Sequence, residues 1–341
     1  MKVFENISLK PYNTFGIDVK ARRLVVIEPD DDLSGKWEVE SGKMLVIGAG
    51  SNMVFTKDYD GTIITLDHLA TQPLSHSETL VTAWAGMVMD DLVLRTIEHG
   101  LYGLENLSAI PGTVGASAVQ NVGAYGAEAK DFIESVEAYD LQEGLHCTFS
   151  NADCQFAYRD SFFKHHPNRY LILRVTYRLS RKFVPNLSYK ALEGLPHDTA
   201  QQLRNAIIDL RWSKLPRPEE HGSAGSFFKN PVVDENSYLR LREEYPDMPE
   251  AHSTPQNGVD STLEGGRGVS LYYKLSAGWL IDRAGWKGRT QGRAGVWHKN
   301  ALVLYNADDC TGADVVALAQ AIQQDVKQKF GVELHPEAII I

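Results

Sequence analysis

Short apolar runs and one alternating stretch predict the first strands of this chain. Residues 24–28, which are apolar up to the final Glu28, and residues 44–47 form runs of the kind found in short buried strands. Residues 171–179 alternate, with leucine, valine or tyrosine at every odd position and arginine or threonine at most even ones. Because successive side chains of a strand point to opposite faces, this pattern predicts a strand with one buried face.

Two other segments place their apolar residues at helical spacing. Apolar residues at positions 203, 206, 207 and 210 lie on one face of a predicted helix that ends before Pro216. Further along, Thr311 is a predicted N-cap and Gly331 a predicted helix terminator. The helix between them has an apolar face formed by Val315, Leu318, Ala319, Ile322 and Val326. Since helical and strand-like patterns alternate, the fold class is α+β or α/β.

Composition narrows the class of protein. The chain has 341 residues, which is long enough for two or three domains. Its formal net charge of −10 argues against a nucleic-acid partner, because phosphate binding needs a basic surface. No apolar run approaches the roughly 20 residues of a membrane-spanning helix, so no membrane association is expected.

The N-terminus and the cysteines indicate the compartment. Residues 1–16 contain no continuous apolar stretch like that of a signal peptide, so a cytoplasmic protein is expected. The three cysteines, Cys147, Cys154 and Cys310, are too few for a disulfide framework and form no CxxC pair. A metal site is therefore not expected.

A first glycine-rich segment, residues 47–52 (IGAGSN), follows a predicted strand. The dinucleotide-binding pattern GxGxxG would require glycine at position 53, where Met53 stands, and a strand-like run at 62–66 follows in place of a helix. A Rossmann site is therefore disfavoured. The backbone N–H groups of such a turn can still bind phosphate, and the alternative is a plain tight connection between strands.

A second segment, residues 110–126 (IPGTVGASAVQNVGAYG), combines four glycines with several other small residues. Small side chains allow another backbone or a flat ligand to approach closely. Gln120 and Asn121 add amide donors and acceptors in the middle of the run. This composition favours a ligand-binding loop over a purely structural one.

Together the two segments resemble the FAD-binding segments of the UDP-N-acetylenolpyruvoylglucosamine reductase family. The resemblance extends over essentially the whole chain, from residues 13–16 (NTFG) to Pro336-Glu337. Three further motifs occur in the family's order and at about its spacing, at residues 158–161 (YRDS), 225–231 (GSFFKNP) and 277–282 (AGWLID). One such motif alone is weak evidence, but the whole set in the family's order is specific.

The resemblance implies an α+β protein with an FAD-binding fold of the vanillyl-alcohol oxidase type, made of two α+β subdomains, followed by a C-terminal α+β substrate domain. The implied ranges are 1–67 with 331–341 for the first FAD-binding subdomain, 68–215 for the second, and 216–330 for the substrate-binding domain. Composition supports the breaks, since turn residues interrupt the pattern at 71–75 and prolines and charges crowd residues 214–220.

The implied activity is the NADPH-dependent, FAD-mediated reduction of UDP-N-acetylglucosamine enolpyruvate to UDP-N-acetylmuramate in peptidoglycan precursor synthesis. In the family, tightly bound FAD takes hydride from NADPH and passes it from flavin N5 to the substrate. A monomeric enzyme is expected, and the preference between NADPH and NADH stays open. Two alternatives also stay open: an FAD-dependent oxidase of the same wider fold that passes electrons to oxygen, and a non-enzymatic nucleotide-sugar-binding module.

By resemblance, three residues carry the chemistry. Arg159 grips the substrate carboxylate with its planar guanidinium, and a salt bridge to Asp160 is the alternative on sequence alone. Ser226 protonates the substrate carbon, although a serine in such a loop is more often a turn residue. Glu337 stabilises the intermediate, which requires the C-terminus to return to the first domain.

The residues that the resemblance assigns to the cofactor all lie in the two glycine-rich segments. They are Gly48, Ala49, Gly50, Ser51, Asn52, Pro111, Gly112, Gly115, Ala116, Ser117, Gln120, Asn121, Gly123, Ala124 and Tyr125. The residues that it assigns to substrate binding come from other parts of the chain: Tyr158, Tyr189, Lys214, Lys229, Asn230 and Asn300.

Two departures from the family pattern affect the substrate site. Asn300 stands where the family usually has a glutamine, so its shorter amide needs a bridging water to reach a phosphate. Residues 251–268 form a predicted long exposed loop without a clear counterpart for the tyrosine that closes over the nucleotide in the family. Tyr272 and Tyr273 lie nearby, close to the next predicted helix.

Overall fold

Two units make up the part of the chain that the computed structural model describes, which is residues 1–34, 43–68, 74–255 and 271–341. Unit 1 comprises Met1–Asn13, Asp18–Ser51 and Lys57–Ser213, and unit 2 comprises Thr14–Ile17, Asn52–Thr56 and Lys214–Ile341. Within these described ranges, no helix is long and apolar enough to cross a membrane.

Strands and helices alternate along the chain. In chain order, the strands are β1 (Lys2–Ser8), β2 (Lys20–Ile27), β3 (Met44–Val46), β4 (Met53–Val54), β5 (Tyr59–Leu66), β6 (Ser75–His76), β7 (Leu80–Trp84), β8 (Gly123–Ala124), β9 (Ala127–Glu128), β10 (Ile133–Asp140), β11 (Leu145–Ser150), β12 (Tyr170–Arg178), β13 (Ser223–Ser226), β14 (Val232–Asp234), β15 (His252–Pro255), β16 (Leu271–Lys274), β17 (Thr290–Gln291), β18 (Ala294–Val296), β19 (Val303–Asn306) and β20 (Ile339–Ile340). The α-helices are α1 (Met89–Glu98), α2 (Val114–Gln120), α3 (Phe162–His165), α4 (Ala200–Lys214), α5 (Glu235–Glu244), α6 (Ala277–Arg283) and α7 (Gly312–Phe330). The expected mixture of helix and strand is confirmed.

Two sheets form the frame of unit 1. The first has the strand order β1-β2-β5-β3, in which β2 and β3 both run parallel to β5. The second has the order β11-β10-β12-β7-β6 and is antiparallel throughout. Helix α2 packs against β12 and β7, so the second sheet carries the helix that belongs to the second glycine-rich segment.

The strands predicted from apolar patterns are confirmed. The predicted runs at 24–28 and 44–47 correspond to β2 and β3, and the alternating stretch is β12. Tyr177 and Val175 of β12 are fully buried, as the alternation requires. Ile172 is also buried, because β12 is the central strand of its sheet and both of its faces are covered near its start.

The two predicted helices are α4 and α7. In α7, Thr311 Oγ1 accepts a hydrogen bond from the Asp314 N–H at 3.2 Å, and the Asp314 carboxylate accepts one from the Thr311 N–H at 2.8 Å. Gly331 ends the helix with φ +69°, a left-handed conformation in which glycine carries no steric penalty. Both ends of α7 are therefore determined by residues that the sequence identifies.

Unit 2 contains a four-stranded sheet of order β13-β19-β18-β17 and a three-stranded sheet of order β14-β16-β15. The C-terminal strand β20 runs parallel to β4, with Ile339 opposite Met53 and Ile340 opposite Val54. The last residues of the chain are therefore bound to a segment that follows the first glycine-rich turn.

The long loop predicted at 251–268 is wrong at its beginning. Residues His252–Pro255 form β15, which is antiparallel to β16. The pairing satisfies backbone N–H and C=O groups that a loop would leave to water. Residues 256–268 lie outside the described residues, as do residues 71–73 of the predicted break at 71–75.

An ion pair between the buried Arg204 and the half-buried Asp90 joins α1 to α4 within unit 1. The Arg204 guanidinium donates to both carboxylate oxygens of Asp90, at 2.8 Å from Nη2 to Oδ2, and the Arg204 side chain is 8% exposed. Asp90 also accepts a hydrogen bond from the Ala109 N–H at 2.6 Å, just before the second glycine-rich segment. Burial acts to raise the pKa of Asp90, but the bonds from Arg204 and Ala109 outweigh it and hold the pKa below its usual range.

We expect Asp90→Ala to lower the free energy of unfolding by about 3–5 kcal/mol, because it leaves a buried guanidinium without its carboxylate. Urea denaturation at neutral pH measures the loss. The matched control is Asp91→Ala, which removes an exposed carboxylate from the same helical turn and is expected to change the stability by less than about 0.5 kcal/mol. Equal effects of the two substitutions would contradict the assignment.

Candidate functional site

The first glycine-rich segment forms a tight turn after β3. Gly50 has φ +61°, and a side chain on it would lie 2.2 Å from the Tyr12 carbonyl oxygen, so this position requires glycine. In the part of the chain that the structure describes, the backbone N–H groups of residues 48–51 have no hydrogen-bond acceptor. Consecutive N–H groups of this kind form a concave site for an anion such as a phosphate.

The second glycine-rich segment packs directly against the first. Thr113 is the N-cap of α2, and its Oγ1 accepts a hydrogen bond from the Ala116 N–H at 3.4 Å. A side chain on Gly48 would lie 2.8 Å from that oxygen, and one on Gly112 would lie 3.0 Å from Ser51 Oγ. The two segments form one surface because these positions carry no side chains.

This joined surface fits a dinucleotide cofactor such as FAD. The N–H groups of residues 48–51 are donors of the kind that a diphosphate accepts, and the bare backbone at Gly48 and Gly112 leaves room for close approach. Ser51 Oγ donates to the Pro111 carbonyl at 3.4 Å, which joins the two segments at a further point. Among the described residues, no group of three or more His, Cys, Asp or Glu side chains is placed to hold a metal ion.

The turn after β7 holds the second segment in place. The Gly115 N–H donates to the Ala85 carbonyl and the Val114 N–H donates to the Met87 carbonyl, both at 2.9 Å. A side chain on Gly115 would lie 2.9 Å from Ala85 Cβ, so the helix can approach the turn only with glycine at this position. The start of α2 is therefore fixed by backbone contacts rather than by side chains.

Two predicted cofactor residues use their side chains within the protein. Ser117 Oγ donates to the Val114 carbonyl at 2.7 Å. Asn121 ends α2 with φ +44°, and its Nδ2 donates to Glu128 Oε2 at 2.9 Å and to the Ala157 carbonyl at 2.8 Å. Both side chains shape the segment, and their direct contact with a cofactor stays a prediction.

A two-residue turn between Ala157 and Asp160 carries Tyr158 and Arg159. The Ala157 and Asp160 backbones exchange two hydrogen bonds of 3.1 Å. Arg159 has φ +55°, whereas the third position of such a turn usually takes glycine. Strained backbone of this kind is commonly found at functional sites, which favours a functional role for Arg159.

The Arg159 side chain points back to the second glycine-rich segment. Its Nη2 donates to the Gly123 carbonyl at 3.2 Å, and its guanidinium lies 5.5 Å from the centre of the half-exposed Tyr158 ring. The neighbouring Asp160 carboxylate is hydrogen-bonded to His165 Nε2 at 2.7 Å. The structure thus brings Arg159 to the predicted cofactor segment and engages Asp160 with a different partner.

Lys164 belongs to this cluster, although sequence reasoning missed it. Its Nζ donates to the Arg159 carbonyl at 2.7 Å and to Gln120 Oε1 at 2.9 Å. Gln120 is a predicted cofactor residue, so Lys164 connects the two parts of the site. Its position three residues after the YRDS motif is a signal, but a lysine in a short helix normally predicts a solvated side chain.

The rings of Tyr125 and Tyr189 pack against each other in unit 1. Their rings meet edge to face with centres 5.4 Å apart, and Tyr125 follows the short strand β8, which contains Gly123 and Ala124. Burial raises the pKa of Tyr125 and lowers the pKa of Arg211, whose positive charge acts on that tyrosine. Arg211 is a second residue that sequence reasoning missed, because its partner lies far away in the sequence.

In unit 2, Ser226 and Glu337 lie on adjoining segments. Ser226 is exposed at the end of β13, after Gly225, whose φ of +68° turns the backbone there. The Glu337 N–H donates to the Phe227 carbonyl at 2.7 Å. Asn52, a predicted cofactor residue, donates from Nδ2 to the Glu337 carbonyl at 3.2 Å. Residues more than a hundred positions apart are therefore placed side by side.

Four predicted substrate-binding residues also belong to unit 2. Asn230 Oδ1 accepts a hydrogen bond from the Ala277 N–H at the start of α6, at 3.0 Å, which directs its Nδ2 donor elsewhere. Asn300 lies in the turn between β18 and β19, where its Oδ1 accepts from the Leu302 N–H at 3.0 Å. Lys214 and Lys229 are exposed. Their assignment to the substrate stays a prediction.

Tyr272 and Tyr273 lie on strand β16. The Tyr273 ring stacks on Tyr238 of α5, with centres 4.1 Å apart and an angle of 5° between the planes. Adjacent residues of a strand point to opposite faces, so Tyr272 lies on the other side of the sheet. Which ring closes over a substrate stays open.

Two protein-family models match this chain, one in its N-terminal half and one in its C-terminal part. A protein-family model described as the C-terminal domain of UDP-N-acetylenolpyruvoylglucosamine reductase matches residues 217–341. A second model, described as an FAD binding domain, matches residues 37–150. The second match contains both glycine-rich segments.

Full-length relatives carry one name. The chain is 44% identical over 348 residues to UDP-N-acetylenolpyruvoylglucosamine reductase from Pseudomonas aeruginosa, with 99% of this chain and 98% of that protein covered. It is 42% identical over 342 residues to the reductase of the same name from Neisseria gonorrhoeae, with coverages of 96% and 94%.

A solved structure has the same fold. The crystal structure of UDP-N-acetylenolpyruvylglucosamine reductase from Thermus caldophilus matches 100% of this chain and 99% of its own, with a TM-score of 0.66 and 23% identity. At that identity the likeness concerns the fold alone. The predicted fold class, α+β with an FAD-binding fold and a C-terminal substrate domain, is confirmed.

A buried carboxyl group lies next to a residue that is hydrogen-bonded to the second glycine-rich segment. Glu105 is 3% exposed, and its two oxygens accept hydrogen bonds from the Gly103 N–H at 2.9 and 3.1 Å. The next residue, Asn106, donates to the Tyr125 carbonyl at 2.7 Å. Burial raises the pKa of Glu105, and the backbone hydrogen bonds of Glu105 and Gly103 only partly oppose this.

We expect the stability of the Glu105→Gln variant relative to the wild type to increase as pH rises from about 5 to 8. A carboxyl with a raised folded-state pKa stabilises the fold below its ordinary pKa, and this contribution is lost as pH rises through the folded-state pKa. Glutamine cannot ionise and avoids the loss. Urea denaturation at several pH values measures the difference. Glu98→Gln, on the exposed end of α1, is the control, and parallel pH curves for wild type and Glu105→Gln would contradict the assignment.

Proposed function

The chain belongs to the UDP-N-acetylenolpyruvoylglucosamine reductase family, and we propose that it reduces UDP-N-acetylglucosamine enolpyruvate to UDP-N-acetylmuramate for peptidoglycan precursor synthesis. The observation that carries this function is the direct packing of the two glycine-rich segments into one surface inside the matched FAD-binding region. When bound, FAD supplies a carrier that accepts hydride from NADPH and delivers it to the enolpyruvyl methylene carbon.

The cofactor-binding residues act through their backbone. The N–H groups of residues 48–51 would donate to the FAD diphosphate, and the bare surfaces of Gly48 and Gly112 would allow the cofactor to lie against the chain. Asn52, Pro111, Gly115, Ala116, Ser117, Gln120, Asn121, Gly123, Ala124 and Tyr125 complete the cofactor site. The N–H groups act without reorganisation, because the surrounding contacts already hold the turn.

Arg159 binds the substrate carboxylate. A guanidinium donates two parallel hydrogen bonds to a carboxylate, and it stabilises the negative charge that hydride addition places next to that group. Arg159 Nη2 donates a hydrogen bond to the Gly123 carbonyl at 3.2 Å, and this bond orients the guanidinium relative to the cofactor segment. Tyr158 covers one face of the guanidinium.

Ser226 and Glu337 act at the substrate carbon that receives the proton. A serine hydroxyl is a poor acid in water, and it becomes effective next to a strongly basic carbanion. Gly225 leaves the approach to Ser226 open, since no atom lies within 4 Å of the position that a side chain on it would occupy. Glu337 stabilises the intermediate beside it.

The remaining substrate residues bind the nucleotide diphosphate. Tyr189, Lys214, Lys229, Asn230 and Asn300 supply the hydroxyl, ammonium and amide donors that a diphosphate accepts. For Asn230, the bond from Ala277 to Oδ1 leaves Nδ2 as the donor. Within the proposed organisation, residues 216–330 form the substrate-binding domain, and residues 1–67 with 331–341 and 68–215 form the two FAD-binding subdomains.

The enzyme is further proposed to act as a cytoplasmic monomer without nucleic-acid or membrane partners. Its net charge of −10 disfavours binding to polyanions.

We expect Ser226→Ala to retain flavin reduction by NADPH while slowing reoxidation by UDP-N-acetylglucosamine enolpyruvate by about 10²–10⁴-fold, the usual contribution of a general acid. Stopped-flow absorbance near 450 nm separates the two half-reactions. Ser223→Ala, three residues earlier on the same strand, is the control and leaves both rates unchanged.

Three outcomes of this experiment bear on the proposal. Equal loss of both half-reactions in folded Ser226→Ala would contradict the role of Ser226. Rapid reoxidation of the wild type by air, without a response to the enolpyruvyl sugar, would identify an oxidase instead. A purified chain that takes up no FAD would leave only a nucleotide-sugar-binding module.

A further inference from the structure

We propose that Lys164 is a positioning residue for this reaction, which holds Arg159 in the orientation that substrate binding requires by joining its backbone to the cofactor-segment residue Gln120. The inference rests on the proposed function, because it takes Arg159 to bind the substrate carboxylate. It is carried by two hydrogen bonds from one ammonium group: 2.7 Å from Nζ to the Arg159 carbonyl and 2.9 Å to Gln120 Oε1.

The backbone of Arg159 needs an external restraint. With φ +55°, it occupies the left-handed region at the turn position where glycine is usual, so the conformation is unfavourable for an arginine by itself. The carbonyl group of Arg159 points to Lys164 in this conformation. A charge-assisted bond to that carbonyl stabilises the strained peptide, and an ammonium has a donor left for Gln120.

Lys164 is itself fixed to the second glycine-rich segment. Ser161, the N-cap of α3, accepts a hydrogen bond from the Lys164 N–H at 3.4 Å. The Ser161 hydroxyl donates in turn to the Val119 carbonyl of α2 at 2.7 Å. The helix that carries Lys164 and the helix that carries Gln120 are therefore joined through this serine, and the ammonium completes the connection through side chains.

Two further hydrogen bonds attach the turn to the same segment. Asn121 Nδ2 donates to the Ala157 carbonyl at 2.8 Å, and Arg159 Nη2 donates to the Gly123 carbonyl at 3.2 Å. These bonds restrain the base of the turn and the guanidinium, whereas Lys164 restrains the Arg159 peptide and the Gln120 amide at the same time. Loss of the ammonium frees the peptide to leave the left-handed conformation and the amide to rotate.

The expected consequence is selective for the carboxylate substrate. Arg159 presents its donors to a carboxylate only when its backbone is held, so loss of Lys164 weakens binding of UDP-N-acetylglucosamine enolpyruvate. NADPH presents no carboxylate to Arg159 in the proposed reaction, so the rate of flavin reduction by NADPH is preserved. A purely structural role for Lys164 would instead affect both half-reactions and the fold together.

The test compares Lys164→Met, Lys164→Arg and Lys164→Gln in the FAD-loaded full chain. The dissociation constant of the enolpyruvyl substrate is measured from the change in the oxidised flavin spectrum, and flavin reduction by NADPH by stopped flow. We expect Lys164→Met to raise the dissociation constant about tenfold, the effect of one charge-assisted hydrogen bond, and to change the NADPH rate less than about threefold. Lys164→Arg, which can donate to both acceptors, restores binding to within about threefold of the wild type.

Lys130→Met is the matched control, because Lys130 lies close to the same segment and its Nζ pairs with Glu128 at 3.0 Å rather than with Arg159. It is expected to bind substrate like the wild type. Wild-type binding by Lys164→Met, or by Lys164→Gln if the methionine variant does not fold, would overturn the inference. Equal loss in both half-reactions for Lys164→Gln would also overturn it. A wild-type chain that holds FAD but does not respond to the enolpyruvyl sugar would refute the proposed function instead.

Discussion

The attachment of the Ala157–Asp160 turn to the end of α2 is the constraint on which the site in unit 1 depends. This turn carries an arginine in a left-handed backbone conformation, and bonds from Asn121, Ser161 and Lys164 hold it against residues 119–121. Residues 119–121 lie within the range that the FAD binding domain model matches. The guanidinium that is proposed to bind the substrate is thereby held beside the matched FAD-binding segment by a few short hydrogen bonds.

Glycine packing provides the second constraint. The two glycine-rich segments approach each other because Gly48 and Gly112 have no side chains, and Gly115 allows α2 to rest on the turn after β7. The N–H groups of residues 48–51, which have no acceptor among the described residues, belong to this restrained turn. Their partial positive charges are fixed in direction, which makes the site suitable for a diphosphate without a basic side chain, and this is consistent with the acidic overall composition.

In unit 2, the return of the C-terminus has a comparable effect. Pairing of β20 with β4 places Pro336 and Glu337 next to the Phe227-Phe228 pair, whose rings are buried. The exposed Ser226 precedes this buried pair. The residue proposed as the proton donor is thus followed directly by two buried aromatic side chains, which fix the position of the backbone next to it.

The sequence by itself determined the mixture of helix and strand, the capped helix α7, the strands β2, β3 and β12, and the two glycine-rich segments. These features depend on periodicity, capping and the absence of side chains, which are local properties. The motifs also identified Arg159, Ser226 and Glu337 as candidates. Only the tertiary structure decided that Ser226 and Glu337 lie on adjoining segments and that Asp160 is bonded to His165. It also decided that Lys164 contacts Gln120 and that Arg211 lies near Tyr125. Strand β15 stands where the sequence predicts the start of a loop. Each of these depends on contacts between residues distant along the chain or on backbone pairing, and neither leaves a periodic signal in the sequence.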